Sequence, residues 1–516
     1  NSCGTRNFSL PLDIARIAGP VLVEARVKGR GIEYGERGSF GPNLMLHYVN
    51  PPGSRKRHAW RKLANEYGTF DWKTWTLVDI VPSDAMGLQM VVVLQCCRGE
   101  MWVDGLTIWR AKEIPDADVK PPVSNPVADA IPRGRWAGKV RPGSCRGVMS
   151  GHDLSEEAFQ TLQSWGVNLI RLQIGVRSKD LANGADYFQL LSNRIEACAT
   201  TLARCQKYGI KVCLDLHSGP STETTKHSSN FIPADYNTTL LRKAWRMILK
   251  RLGGHPAIYA YDILNEPSCS AATWERVFEE VVADIRMIDS KTPVVTESFA
   301  RYYPPEMNVI YSPHIYAPHC LTHYGVGNQW KIRWSYLNYI NGEWWDKERL
   351  RVAMKPYIDF SLAHPDARIY VGEFSCIAWV KNAGAYVNDC IELFEEYGWD
   401  WTYHAFRECQ TWDVEYEAAE PYDTNLTHLR KAAVDTDRKQ ALLKGLRNNM
   451  MSVPTLTVRP QETDEPLVNP GMGLMMYHMA GRLWAYGASL PPGDTMDWFP
   501  GVSTVYLRFL WSEIEP

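Results

Sequence analysis

Two short runs 107 positions apart carry the residues best suited to bond-breaking chemistry, Ile263-Leu264-Asn265-Glu266-Pro267 and Ile369-Tyr370-Val371-Gly372-Glu373-Phe374. Each closes an apolar stretch with a glutamate. Breaking a sugar acetal takes one carboxyl group that can release a proton and a second that can attack or stabilise the anomeric carbon. Two strand-end glutamates on one face of a barrel would supply both.

A further set of polar side chains ends or follows other apolar runs: Arg171, His217, Asn265, His314 and Tyr316, with Trp401 or His404 on the last run. In (β/α)8 barrels the loops that leave the C-terminal ends of the strands build the reactive face, so strand-end residues from distant positions meet there.

The elements that must hold this set are visible as alternation. Eight apolar runs lie at 145–149, 167–174, 210–216, 258–264, 294–296, 309–313, 368–372 and 399–405, and helical patterns at 156–165, 190–208, 240–252, 274–288, 348–363 and 385–397 separate most of them. Short buried strands alternating with helices build a parallel sheet, and eight units in about 310 residues predict a (β/α)8 barrel over 140–452. Pro304-Pro305 argues that a short loop replaces the helix between the fifth and sixth runs.

Residues 1–112 read differently. Val21, Val23, Ala25 and Val27 alternate with Leu22, Glu24, Arg26 and Lys28, and further period-two runs are punctuated by Pro51-Pro52-Gly53, Gly68, Pro82 and Gly99. This predicts an antiparallel β-sandwich of the jelly-roll type. Residues 113–139, with Pro115, Pro121-Pro122, Pro126 and Pro132, read as a semi-rigid linker. Residues 453–516 hold one entry-type strand pattern, Leu467-Val468-Asn469-Pro470-Gly471-Met472-Gly473, and an apolar run at 502–511. They are expected to be the start of a further barrel in a longer protein, or else a segment docked on the first.

Composition narrows the partners. At 516 residues the chain is long enough for several cores. A net charge of -2 and the lack of a basic run give no electrostatic footprint for nucleic acid. Twenty tryptophans and 25 tyrosines suit the apolar faces of sugar rings, although most will fill cores. The longest apolar run, at 90–94, is far short of the roughly 20 residues of a membrane span. The twelve cysteines show no metal spacing, and Cys198, Cys205, Cys213, Cys376 and Cys390 fall in apolar elements as buried thiols do. Nothing calls for an obligate protein partner. The chain opens at Asn1 without a charged-then-apolar leader, so the N-terminus does not decide location.

With these motifs in order, the chain resembles glycoside hydrolase family 5, the cellulase family of retaining barrel glycosidases. The likeness runs over about 300 residues through Asn168-Leu169-Ile170-Arg171-Leu172, Leu214-Asp215-Leu216-His217, Gly254-His255-Pro256-Ala257-Ile258, Asp262-Ile263-Leu264-Asn265-Glu266-Pro267, His314-Ile315-Tyr316 and Gly372-Glu373-Phe374. The resemblance implies Glu266 as acid/base and Glu373 as nucleophile, with no metal or organic cofactor required. A retaining pair sits ~5 to 5.5 Å apart. Glu266 is expected to have a raised pKa because a second carboxylate is near, and Glu373 to stay ionised beside Arg171 and Tyr316. Asn265 is expected at the sugar 2-hydroxyl, with His217 and His314 on other hydroxyls or on the carboxylates. Family members present a tryptophan on the eighth strand as a floor under the sugar, and Trp401 is the expected one. The loop at 317–346, with Trp330, Trp334, Tyr336, Trp344 and Trp345, is expected to wall the cleft.

The substrate class stays open among β-glucans, mannans and related glycans, and a secreted or cell-surface protein is implied. The alternatives are a non-catalytic glycan-binding scaffold, whose mark would be loss of one carboxylate, and a transglycosylase using the same two glutamates. The first section, through Gly68-Thr69-Phe70-Asp71-Trp72 and Glu100-Met101-Trp102-Val103-Asp104-Gly105, is similar to carbohydrate-binding modules. That likeness implies a glycan groove with Trp60, Tyr67 or Trp72, and Asp104 as a ligand for a structural calcium ion.

Overall fold

The computed structural model of the chain describes residues 5–34, 42–52, 58–64, 68–81, 84–95, 97–110, 126–177, 179–181, 184–221, 228–323, 333–340, 343–419, 429–451, 475–478 and 504–507. Residues 1–453 make one compact unit and 454–516 a second. In the second, the described residues are two strands, Met475–His478 and Thr504–Leu507, paired in parallel. The entry-type run at 467–473, Tyr67, Trp330 and residues 113–125 of the expected linker lie outside the described residues.

Two antiparallel sheets form the first part of the larger unit. One has the order Thr5–Pro11, Gly87–Gln95, Pro42–Val49, His58–Ala64, and the other Gly68–Val81, Gly19–Tyr34, Cys97–Arg110. The alternation read at 21–27 is their packing. Val21, Val23, Ala25 and Val27 are buried against Leu44, Leu46, Tyr48, Trp75, Leu88 and Met90. Trp60, Trp72 and Trp102 stand exposed on the strands.

Eight parallel strands then close a barrel. They are β1 (Arg146–Ser150), β2 (Leu169–Gly175), β3 (Lys211–Ser218), β4 (Ile258–Asp262), β5 (Val294–Thr296), β6 (Val309–Tyr311), β7 (Arg368–Val371) and β8 (Asp400–Tyr403), in sequential order around the ring. All eight apolar runs of the sequence are strands. Their continuous apolar character follows from burial on both faces, by helices outside and by a filled interior inside. Leu169, Cys213, Ala260, Val295, Ile310 and Tyr370 make one apolar cluster from six successive strands.

The outer ring includes α1 (Glu156–Trp165), α2 (Tyr187–Lys207), α3 (Thr239–Leu252), α4 (Ala271–Ile288), α5 (Lys347–Ala353), α6 (Lys355–Ala363), α7 (Ala383–Tyr397) and α8 (Asp437–Met451). Ser155, Asp186 and Ser270 cap α1, α2 and α4 by accepting backbone N–H groups in the first turn. One expected helix, 348–363, is two. Pro356 has no N–H to donate, so the chain breaks at Met354 and restarts with the proline in a first turn. Between β5 and β6, where Pro304-Pro305 argued against a helix, there is a single 3-10 turn, Pro305–Met307.

Candidate active site

Arg171 stands at the centre of the barrel mouth. It points inward from β2, is fully buried, and no water reaches its guanidinium. Five donors in a rigid fork suit it to gather several oxygens at once. Nε and Nη2 donate to Asp262 Oδ2 at 3.1 and 2.9 Å, Nη2 to Asn265 Oδ1 at 3.0 Å, and Nη1 to Glu373 Oε1 at 2.5 Å. Asp215 Oδ1 lies 3.2 Å away. One cation thus ties the ends of β3, β4 and β7 together. Burial would disfavour that charge, yet Asp215, Asp262 and Glu373 hold the pKa of Arg171 well above its ordinary value.

Glu373, just past β7, is 4 % exposed. Tyr316 Oη donates to its second oxygen, Oε2, at 2.6 Å. Burial opposes ionisation of Glu373, but His314, Arg171, His404 and His217 outweigh it and keep the carboxyl well below the usual range. Gly372 lets this chain pass. A Cβ there would lie 2.6 Å from Ser312 Oγ and 3.0 Å from His314 Nε2.

Glu266 is different in kind. Its side chain is 55 % exposed, and its backbone sits at φ 43°, a left-handed conformation that costs a non-glycine residue of order 1–3 kcal/mol. Its N–H donates to Glu297 Oε1 at 2.8 Å, which pins the turn. Its Oε1 is 2.9 Å from His314 Nδ1. One oxygen of Glu266, one of Glu373 and a ring nitrogen of His314 all fall within 4.8 Å of one another.

The expected raised pKa of Glu266 is not what this geometry gives. The hydrogen bond from His314 lowers it, and that outweighs burial and the repulsion of Glu373. His314 carries the proton instead. Burial pulls it down, but Glu297, Glu373 and Glu266 raise it to about 9. On the far side of the imidazole, Glu297 Oε1 lies 3.5 Å from Nε2. Burial, with repulsion from Asp262, lifts Glu297 to about 8 against the pull of His314 and Arg171. At neutral pH Glu266 and Glu373 are thus held as carboxylates, and the pair of Glu297 and His314 keeps a proton that an ordinary carboxyl and imidazole would release.

The remaining residues orient the rim. Asn265 Oδ1 is taken by Arg171, so its amide N–H2 is turned to the mouth. His217 Nδ1 pairs with Asp215 Oδ2 at 2.8 Å, and Asp215 with Glu373 raises its pKa against burial. Asn230 ties the ends of β3 and β4 by donating to His217 O and Asn265 O at 3.1 and 2.7 Å.

The family model described as cellulase, glycosyl hydrolase family 5, matches residues 138–409. The chain belongs to glycosyl hydrolase family 5. Among curated relatives, cellodextrinase A of Ruminococcus flavefaciens is 23 % identical over 189 residues, 34 % of this chain and 54 % of the relative. Endoglucanase B of Acetivibrio thermocellus is 28 % identical over 132 residues, 21 % of this chain and 23 % of the relative. The chain thus spans about half the length of the first and less than a quarter of the second. Among solved structures, Thermotoga maritima Cel5A in complex with cellobiose is 18 % identical with a TM-score of 0.43, covering 58 % of this chain and 97 % of that one.

One expected residue of the family 5 site lies elsewhere. Trp401 is fully buried on the outward face of β8, where Nε1 donates to Glu395 Oε1 of α7 at 2.9 Å and the ring packs edge-on to Phe374. Side chains alternate along a strand, so Thr402 and His404 point inward instead. His404 Nδ1 is 2.8 Å from Tyr316 Oη. Because Tyr316 gives its proton to Glu373, His404 is the donor in that bond. Its ring stacks on Trp412 with centroids 4.9 Å apart. The inward position at the end of β8, where the sequence led to an expected tryptophan, is therefore an imidazole backed by an indole. From the loop after β6, Trp334, Tyr336 and Trp345 are buried in the barrel's core cluster, so they pack there and do not line an open cleft.

From the sequence Glu297 is visible as a strand-end acid but reads as bland beside Glu266 and Glu373, and Glu408 and Gln173 give no sign of a role. Glu297 follows β5 in the same way that Glu373 follows β7, and that position was the available signal. Gln173 lies two residues beyond Arg171 on β2, and so on the same inward face.

Proposed function

We propose that the barrel is a retaining glycosidase of β-linked glycans, with Glu373 as nucleophile and Glu266 as acid/base. The observation that carries this reading is the approach of their carboxyl oxygens to within 4.8 Å, which suits the ~5 to 5.5 Å spacing of retaining pairs and leaves no room for the water of an inverting pair. The names of the relatives, a cellodextrinase and endoglucanases, favour β-glucan as the substrate class.

In the first step Glu373 attacks the anomeric carbon while Glu266, which first takes the proton of the His314 imidazolium across their hydrogen bond, passes it to the leaving oxygen. Glu373 is suited to attack because Arg171 and Tyr316 hold its two oxygens from opposite sides. Glu266 is then ionised, and takes a proton from the water that hydrolyses the glycosyl ester in the second step. Asn265 offers its amide to the 2-hydroxyl, where a hydrogen bond strengthens in the transition state.

The purified chain should release sized products from defined β-glucans and set free a product of unchanged anomeric configuration, read by proton NMR in the first minutes of reaction. An inverted product would exclude the nucleophilic role of Glu373. Products longer than the starting sugar, formed when an acceptor is added, would instead mark a transglycosylase.

A further inference from the structure

One carboxylate in the barrel mouth stands apart from the cluster around Arg171 and His314, and the proposed chemistry does not use it. Glu408 follows β8 by five residues and is partly open to solvent. Its Oε2 accepts from Gln173 Nε2 at 2.8 Å and lies 3.5 Å from His404 Nε2. The opposite nitrogen of that imidazole, Nδ1, is 3.8 Å from Glu373 Oε2. Glu408 and the nucleophile are thus one imidazole apart, a separation on the scale of a single sugar ring.

We infer that Glu408 is a substrate-binding residue, its carboxylate accepting hydrogen bonds from vicinal hydroxyls of the ring that Glu373 attacks. The inference rests on the glycosidase reading. Three observations carry it. First, the inward position at the end of β8, where the sequence led to an expected tryptophan, is an imidazole, which has a polar edge and brings a carboxylate with it. Second, Glu408 accepts a hydrogen bond from Gln173 of β2 and sits beside His404 at the end of β8, so it is oriented before any ligand arrives. Third, only one of its oxygens is engaged in a hydrogen bond. Oε1 has a single long ion pair, 3.7 Å to Arg177 Nη2, and no hydrogen bond among the described residues.

The chemistry of the site selects the ligand class. A carboxylate with free lone pairs accepts well from two neighbouring hydroxyl groups. Arg177 beside Oε1 offsets part of the negative charge, which favours neutral hydroxyl donors over an ammonium group. Burial opposes ionisation of Glu408, but His404, Gln173 and His217 lower its pKa, so it stays an acceptor at neutral pH. A ring lacking one of the two hydroxyls would leave an acceptor unpaired in a partly buried site, which is a stronger penalty than the loss of a contact in open water.

The test uses the full chain and the aryl β-glycoside that it hydrolyses fastest, together with versions deoxygenated singly at the 3, 4 and 6 positions. For the wild type, two adjacent deoxy substrates should lose about 10- to 100-fold in kcat/KM, the range of a hydrogen bond to a charged group. For Glu408→Ala, the parent substrate should lose a similar factor while those two deoxy substrates lose almost nothing further. Glu408→Gln, which keeps the shape and the bond to one side chain, should fall between.

An equal loss on the parent and every deoxy substrate in both variants would show that Glu408 merely supports His404, and would overturn the inference. No loss on any substrate would overturn it as well. Preference of the wild type for an amino sugar that Glu408→Gln abolishes would replace the hydroxyl ligand with a cationic one. A wild type inactive on every β-glycoside is a separate outcome, because it removes the glycosidase reading and the inference with it.

Discussion

Replacing Glu297 with glutamine isolates the titration of the buried carboxyl group behind Glu266. Glu297 ionises at about 8 in the fold against an ordinary value of 4.5. Between those values the folded chain keeps a proton that the unfolded chain has released. Stability therefore falls as pH rises through that window, by about 1.4 kcal/mol per unit from this one group. The whole span amounts to about 5 kcal/mol at most.

A glutamine at 297 has no such titration. Its carbonyl can still accept the Glu266 N–H that now reaches Glu297 Oε1 at 2.8 Å. The variant should gain on the wild type steadily from pH 5 to pH 8. For a domain of about 300 residues 1 kcal/mol shifts Tm by roughly 2 °C, so the gap should open by up to about 10 °C across that range. Calorimetry of the barrel transition at four pH values would measure it. Parallel curves for the two proteins, with a constant gap, would show that Glu297 is ionised throughout. Burial in contact with Asp262 would then not be the force that governs it, and the proton inventory of the site would be wrong.

The other predictions concern single groups. Glu373→Gln should abolish turnover of an aryl β-glycoside, whereas Glu266→Gln should spare the first step for substrates with good leaving groups, seen as a burst of released phenol; wild-type rates in Glu373→Gln would remove the nucleophile assignment. Arg171→Met leaves Glu373, Asp262 and Asp215 buried without their shared cation, and should cost about 3–5 kcal/mol in urea unfolding at neutral pH. Gly372→Ala places a Cβ 2.6 Å from Ser312 Oγ and 3.0 Å from His314 Nε2, and should cost about 1–3 kcal/mol in urea unfolding and lower kcat on the aryl β-glycoside. Trp401→Phe loses the bond to Glu395 at 2.9 Å, and should lower Tm without altering KM, which a floor under the sugar could not do.

How much of this was legible in the chain follows from which forces are local. The eight strands were readable because strands buried on both faces leave short continuous apolar runs, whatever the distant sequence. Strand-end positions were readable because barrel topology gathers them on one face. The register of β8 was not. Trp399-Asp400-Trp401-Thr402-Tyr403-His404 offers bulky rings on both faces, so the pattern does not say which face is inward, and a slip of one residue exchanges Trp401 for its neighbours. The protonation of Glu266 was not legible either. Its neighbour Glu373 argued for a raised pKa, but the decisive partner is His314, 48 residues away, whose other ring nitrogen faces Glu297 of yet another strand.

That arrangement gives the site a reason to store its proton on a histidine. In the resting cluster Glu266 is ionised and hydrogen-bonded to the imidazolium of His314 at 2.9 Å, while Glu373 is held ionised by Arg171. Glu266 is more than half exposed, so a sugar ring laid over it removes water from a carboxylate, and desolvation moves its pKa up toward that of the imidazolium. A proton can then cross a hydrogen bond that already exists. Under the retaining reading, formation of the ester neutralises Glu373 and strips His314 of one of the charges that raised its pKa. Glu266, having released its proton to the leaving group, is left ionised as the base for the second step. When water frees Glu373, its charge returns and again favours the proton on His314. In that reading the change of charge on Glu373 drives the proton in the direction that each half of the proposed cycle needs, with His314 within 3.8 Å of both glutamates to respond to it.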